Sequence, residues 1–176
     1  EVKESWMIGV GGNQVKVNGL ASDNSFFYAA TEEGLKRGSK SGNLADYNNW
    51  QILSGANGLS GGSCENVLTV ADKVIVQKSD SLFFLNGSSW ELFFHDGWPI
   101  ISATSTENKV SLCERKLTGE AKVTVLNSDG VVENTYTQPS FISFPRKAII
   151  DQGQTWIADQ SGGLLQASSL FFEQYQ

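Results

Sequence analysis

The sequence is poor in the side chains that carry most chemistry. In 176 residues it has one histidine, two cysteines, three prolines and one methionine. One His and two distant Cys leave a zinc centre, a haem site and a Ser-His-Asp triad without their usual complement. Basic residues are also few: 13 Lys and Arg stand against 19 Asp and Glu, a net charge of −6. With no clustered basic stripe, nucleic acid is a poor partner, because phosphate contacts need Lys and Arg. No apolar run approaches the roughly 20 residues of a membrane-spanning helix. Helical periodicity is almost absent, and its one polar stretch of helix formers, Thr31 to Arg37, is broken by Gly34. The chain opens at Glu1 without a charged-then-apolar leader and is read as a mature form or a piece of a longer one.

What the sequence does have is short β-rich runs separated by Gly, Asn, Asp and Ser. The runs predict sixteen strands in four sets of four. The first set is Val15–Leu20, Phe26–Ala30, Gly34–Arg37 and Asn49–Leu53; the second is Asn66–Ala71, Lys73–Gln77, Ser81–Leu85 and Ser89–Phe94. The third is Pro99–Thr104, Lys109–Glu114, Ala121–Leu126 and Val131–Tyr136; the fourth is Arg146–Asp151, Gln154–Ala158, Gly163–Gln166 and Ser169–Tyr175. Turn-forming Asp or Asn precedes each second strand, and Trp50 and Trp90 fall on fourth strands. The sets recur at about 44 residues, the period of four-stranded propeller blades.

That repeat explains the composition. A single sheet of this kind cannot bury both faces, whereas stacked blades cover one another and tolerate apolar residues on both sides. Leu82-Phe83-Phe84-Leu85 and Ala148-Ile149-Ile150 read as two-sided strands, Val15-Lys16-Val17 as half exposed. The expected fold is all-β, about four antiparallel blades in one segment over 1–176: blades near 15–53, 66–94, 99–136 and 146–175. Trp6–Val10, within 1–14, is expected to be a strand of a preceding or closing blade. Four blades make a partial propeller from a larger protein, and an open arc would expose two apolar faces and favour self-association.

Few residues suggest chemistry. His95 beside Asp96 could be a base and its orienter, but no nucleophile accompanies them, and a polar residue of an exposed turn is the better reading. Glu32, Glu33, Asp46, Asp72 and Asp80 could act on a glycoside only by converging; as strand-end carboxylates they keep the surface soluble. Asn127-Ser128-Asp129-Gly130 reads as a type I′-like hairpin turn rather than a calcium loop. Tyr47, Trp50, Trp90 and Trp98 could form a sugar platform or pack between blades. Lys36, Arg37 and Lys40 could touch an anionic glycan or form a solvated hairpin. Cys64 and Cys113 read as two separate small hydrophobes on strands. No catalytic, cofactor or metal residue is assigned, and no binding face.

Two segments say more. Thr155-Trp156-Ile157-Ala158-Asp159-Gln160-Ser161-Gly162-Gly163-Leu164 resembles the repeat of two-component-regulator propellers, with Asp159 where Thr is common. Tyr28-Ala29-Ala30-Thr31-Glu32-Glu33-Gly34-Leu35-Lys36-Arg37 keeps that Thr and the Gly-Leu. With Asn43-Leu44-Ala45-Asp46-Tyr47-Asn48-Asn49-Trp50 and Gly58-Leu59 it resembles the propeller region of the PorZ-type proteins of the type IX secretion system of Bacteroidota. The resemblance covers roughly residues 5 to 176. It implies a cell-surface protein of an outer-membrane attachment complex that moves secreted proteins onto anionic lipopolysaccharide. Such proteins carry two propellers and a small C-terminal β-domain, the latter associated with lipopolysaccharide binding, and leave the chemistry to a partner sortase. The expected role is therefore a non-catalytic scaffold, extracytoplasmic, at the outer-membrane surface or in the periplasm. Its partners would be proteins of that complex, with an anionic glycan or lipopolysaccharide in the full-length parent. The alternative is the periplasmic ligand-sensing propeller of a hybrid two-component regulator that binds an oligosaccharide. No family functional residue maps onto a matching position.

Overall fold

Among the described residues sixteen strands form, where β-branched and aromatic residues alternate between turn residues. The computed structural model describes residues 5–137, 140–167 and 172–175, the last four through their backbone alone. The strands are β1 (Val17–Ser22), β2 (Phe26–Thr31), β3 (Gly34–Ser39), β4 (Trp50–Ile52), β5 (Asn66–Val70), β6 (Lys73–Lys78), β7 (Ser81–Asn86) and β8 (Ser89–Phe94). They continue with β9 (Ile100–Thr106), β10 (Lys109–Arg115), β11 (Ala121–Leu126), β12 (Val132–Tyr136), β13 (Pro145–Asp151), β14 (Gln154–Asp159), β15 (Gly163–Ala167) and β16 (Phe172–Tyr175). Each consecutive four makes one antiparallel sheet in chain order. The fold is all-β, a partial propeller of four blades. Expected strand ends move by a residue or two; residues 169–171 of the expected last strand lie outside the described residues.

The chain divides into two compact units, Glu1–Lys78 with Leu82–Leu92, and Ser79–Ser81 with Phe93–Gln176. In the first, Tyr28, Ala30 and Leu35 of blade 1 pack with Val67, Val74, Val76 and Trp90. In the second, Cys113, Val123 and Val125 of blade 3 pack with Ala148, Ile150, Ile157 and Leu165 of blade 4. First strands lie beside first strands, β1 by β5 and β9 by β13. Their approach is close: a Cβ on Gly19 would sit 2.3 Å from Asn66 Oδ1. In the second unit hydroxyls stitch the pair, since Ser102 Oγ donates to Arg146 O at 2.8 Å, Thr104 Oγ1 donates to Ala148 O, and Thr106 Oγ1 accepts from Ile150 N at 2.7 Å.

Two local expectations are corrected. Trp6–Val10 is not a strand; Val10–Gly12 is a single 3₁₀ turn, and the segment lies on blade 1. Ile8 is buried with Ala29, Leu44 and Trp50, while Ile8 O accepts from Lys36 Nζ at 2.6 Å and Val10 N donates to Glu33 Oε2 at 3.0 Å. Side-chain partners on β3 and its turn thus take the place of a backbone ladder. The Asn127–Gly130 loop is not a type I′ turn, for Gly130 alone has a positive φ, of 80°. Asn127 Oδ1 instead accepts from Asp129 N and Val131 N. Paired left-handed residues occur at Glu107–Asn108 and Gln152–Gly153, the turns before β10 and β14, as two-residue hairpins require. Glu107 reaches from one to the other, accepting from Gln152 N at 2.6 Å and Gly153 N at 3.1 Å.

Asp159, where the resembling repeat has Thr, has a structural role of its own. Its carboxylate accepts from Ser161 N and Gly162 N of the following turn, and from Ser143 N and Phe144 N of the connection entering blade 4. Burial opposes the charge, but these four N–H groups outweigh it and hold the Asp159 pKa below the usual carboxylate range. Arg115 Nε donates to Ser143 O from the other side, and the Arg115 and Arg146 guanidinium groups lie over the Phe144 ring at 4.4 and 4.1 Å. The Asp159→Ala variant should lose about 2–4 kcal/mol, because four part-buried donors lose their acceptor; Asp159→Asn, which keeps one acceptor oxygen, should lose less. Urea unfolding at neutral pH measures both. As the folded pKa is depressed, this stabilisation is present above the unfolded pKa and fades as pH falls through the folded value.

Candidate functional site

A buried polar cluster lies on blade 3. Glu114 on β10 is opposite Lys122 on β11 in register. Both are buried, Glu114 at 0% exposure. Lys122 Nζ makes a close ion pair with Asp96, from the β8–β9 connection, and lies 3.7 Å from Glu114 Oε2. Thr124 Oγ1 donates to the same Glu114 oxygen at 2.5 Å, whereas Oε1 is buried with no hydrogen-bond partner. Trp98 closes the group: its backbone N–H donates to Asp96 Oδ1 at 3.1 Å, and the ammonium groups of Lys116 and Lys122 lie 4.1 and 4.6 Å from its ring.

This geometry drives two neighbouring carboxyls apart. Burial, more than any neighbour, pushes Glu114 up to about 7; Thr124 and Lys122 pull the other way, and Asp96 adds to the rise. Burial also opposes ionised Asp96, but the Lys122 ammonium and the Trp98 N–H outweigh it and hold Asp96 below its usual range. Near neutral pH the cluster therefore holds an ionised Asp96–Lys122 pair beside a Glu114 that gains and loses its proton.

Beside this cluster is a cleft of about 470 Å³ lined by Trp98, Lys116, Glu120, Thr137, Ile142 and Ser143. Lys116 and Glu120 form an ion pair of 3.0 Å across its β10–β11 loop, and Leu117 of that loop is fully exposed. An indole, a hydroxyl and two opposite charges around a small hollow suit a ligand or loop with one apolar and one polar side. A second cleft, of about 530 Å³ in the first unit, is more polar and is lined by Asp23, Asn24, Lys40, Thr69, Asp72 and Lys73.

The candidates from sequence scatter among these features. His95 and Asp96 do not form a pair: His95 Nδ1 is 3.2 Å from Ser81 Oγ and 3.7 Å from Asp80 Oδ1, while Asp96 turns to Lys122. Glu32 pairs with Lys16 at 3.5 Å, Glu33 with Lys36 at 2.6 Å, and Asp46 caps a 3₁₀ turn by accepting from Asn48 N. Lys36 is buried, Arg37 sits over the Phe26 ring and Lys40 over the Phe27 ring, so the three form no basic patch. Trp50 and Trp90 are core residues, Tyr47 is exposed over Gly12, and Trp98 lines the blade-3 cleft. Cys64 and Cys113 are buried free thiols; Cys113 lies on β10, and Cys64 just before β5. Burial raises both pKa values, that of Cys113 to about 11. Glu114 and Lys122 escaped notice because only the strand register brings them together. Among the described residues no three His, Cys, Asp or Glu side chains gather as a metal site, and no helix is long and apolar enough to cross a membrane.

No protein-family model matches the chain, and no curated protein matches it in sequence. Among solved structures, the chain is similar to PorZ of Porphyromonas gingivalis, an essential surface component of the type IX secretion system. The TM-score is 0.72 at 16% identity, over 93% of this chain and 21% of PorZ. It is also similar to the extracellular domain of BT4673 from B. thetaiotaomicron, with a TM-score of 0.70 at 14% identity, over 94% of this chain and 23% of that one. The computationally designed Ika4 protein gives 0.62 at 10% identity, over 98% and 99%. The chain thus spans between a fifth and a quarter of the length of the PorZ chain and of the BT4673 extracellular domain. At these identities the likeness is one of fold, that of β-propeller blades.

Replacing Glu114 by Gln keeps an acceptor for Thr124 and removes the titration. The folded pKa of Glu114 is raised, so its favourable contribution is complete below the unfolded value near 4.5 and is lost as pH rises through about 7. Relative to wild type, Glu114→Gln should be equally stable or weaker at pH 4.5 and more stable at pH 8, by up to about 3 kcal/mol. Urea midpoints at the two pH values measure the difference.

Proposed function

We propose that this chain is a non-catalytic propeller segment of a cell-surface protein assembly of the PorZ kind, extracytoplasmic and engaged with proteins of an outer-membrane attachment complex. The observation that carries the reading is the fold likeness to PorZ over 93% of the chain, added to the sequence resemblance at Tyr28–Trp50 and Thr155–Leu164. The dispersal of the candidate catalytic groups supports a scaffold over an enzyme: His95 and Asp96 face different partners, and Glu32, Glu33 and Asp46 are each held separately. The contact surface we favour is the Trp98 cleft together with the exposed Leu117 of the β10–β11 loop, whose Lys116 and Glu120 line that cleft. An aromatic anchor in a partly apolar hollow with a charged rim is the usual make-up of a protein contact.

A second reading is a ligand-sensing propeller, favoured by the likeness to the BT4673 extracellular domain, which is assigned to a one-component or hybrid two-component system. The same cleft would then receive an oligosaccharide against Trp98. Affinity capture from intact source cells, with the full-length parent as bait, separates the two. Outer-membrane secretion and sortase components should co-isolate with the wild-type parent and be depleted by Leu117→Asp. A parent that continues into a histidine kinase and captures none of them overturns the scaffold reading.

A further inference from the structure

The chain has three arginines, and two of them meet on one aromatic ring. Arg115 ends β10, Arg146 is the second residue of β13, and Phe144 immediately precedes β13. Both guanidinium carbons lie within 4.4 Å of the Phe144 ring centre, so less than nine ångströms separates them. Two like charges this close repel, and a chain of net charge −6 has carboxylates to spare for them. Lys109, Lys116 and Lys122 of the same unit are indeed paired, with Glu133, Glu120 and Asp96. Among the described residues Arg115 and Arg146 have no ion-pair partner. Asp159 does not serve, because its oxygens accept from the N–H groups of Ser143, Phe144, Ser161 and Gly162.

The two side chains are nonetheless held in place. Arg115 Nε donates to Ser143 O at 3.1 Å. Arg146 Nε donates to Gln160 Oε1 at 3.0 Å, and its Nη2 donates to the same oxygen. Gln160 is itself tied to the ring residue, its N–H donating to Phe144 O at 2.9 Å. The register of β13 on β14 shifts between Pro145 and Lys147, so Arg146 is the extra residue of a bulge, a device that re-aims a side chain. Ser102 Oγ on β9 fixes that bulge by donating to Arg146 O at 2.8 Å. Stacking on the ring removes much of the freedom that a solvated arginine keeps. Donor capacity is left over. Of the five N–H groups of a guanidinium, Arg115 uses one and Arg146 two. Among the described residues neither has a nitrogen that is both buried and unpartnered, so the unused donors face solvent.

We propose that Arg115 and Arg146 bind a phosphate group, as the free ion or as an ester. Two fixed positive charges suit a dianion better than a carboxylate, and a phosphate monoester carries roughly −1.5 to −2 charges at pH 7 with three strong acceptor oxygens. The planar fork of each guanidinium matches such oxygens through parallel N–H bonds. Because the forks are already immobilised, binding costs little ordering of the protein. The site goes beyond the proposed contact at Trp98 and does not depend on it: neither arginine nor Phe144 lines that cleft.

The test follows backbone amide NMR spectra of the isotope-labelled 176-residue chain, titrated with sodium phosphate and with methyl phosphate. Sodium chloride holds the ionic strength constant, so that screening does not change. Saturable shifts should appear at Phe144, Arg146 and Gln160, with a Kd below about 1 mM for at least one of the two probes. Tighter binding of methyl phosphate assigns an ester, and equal or weaker binding assigns the free ion; either upholds the site. Arg146→Gln and Arg115→Gln should each weaken binding at least about tenfold, the loss of one charge-assisted contact. Arg146→Lys, which keeps the charge and loses the fork, should weaken it less. Lys147→Gln removes the exposed cation next to Arg146 and should change the Kd by less than about threefold. Arg146 and Lys147 are exposed, and a thermal melt verifies that each variant is folded. The proposal is overturned if neither probe saturates by about 10 mM. It is equally overturned if Lys147→Gln weakens binding as much as Arg146→Gln, the mark of general charge attraction.

Discussion

A four-stranded sheet with apolar side chains on both faces is unstable in water until something lies on each face, and that demand organises this molecule. It explains why the blades come in series, why first strands carry small or hydroxylated residues where they meet, and why so little of the chain is helix. Hydrophobic burial supplies the drive, at about 25 cal/mol per Å² of apolar surface. The backbone geometry decides where it can be collected. Gly19 allows β1 to approach Asn66, and the Ser102–Thr104–Thr106 row spends its hydroxyls on the neighbouring first strand rather than on water.

Carboxylates fix the blades at their ends, and they do so with opposite electrostatic sense. Asp159 and Glu107 grip backbone N–H groups of connections and turns, so they are most useful ionised. Glu114 is enclosed with one oxygen unpaired, so its neutral form suits the fold better. The result is a domain whose acidic groups do not all push stability in the same direction as pH changes. Asp96 keeps Lys122 neutralised beside Glu114, and the Trp98 ring lies against the Lys122 ammonium.

The strands were legible because their signal is local: β-rich runs bounded by Asp, Asn and Gly. The four-blade grouping was legible from the spacing of those runs. The segment at Trp6–Val10 was misread because an apolar run looks alike whether it joins a ladder or lies across a face; its real partners, Lys36 and Glu33, are more than twenty residues away. Ile149 was expected to be covered on both sides and is not, since β13 faces blade 3 through Ala148 and Ile150 alone. Asp159 looked like a worn copy of a Thr and is a four-donor clamp. The candidate site was the least legible part. Asp96 and Trp98 were noticed for other reasons, and Glu114 and Lys122 were not noticed at all. Their meeting depends on a cross-strand pairing with no sequence motif.

The two cysteines have a consequence of their own. Each compact unit contains one, Cys64 in the first and Cys113 in the second, and both are enclosed. With a pKa of about 11, Cys113 is thiolate to only about one part in ten thousand at pH 7, and the thiolate is the reactive form. Neither can be alkylated or oxidised at a useful rate without an opening of the sheet around it. The chain therefore carries two built-in clocks, each timing the transient unfolding of its own half.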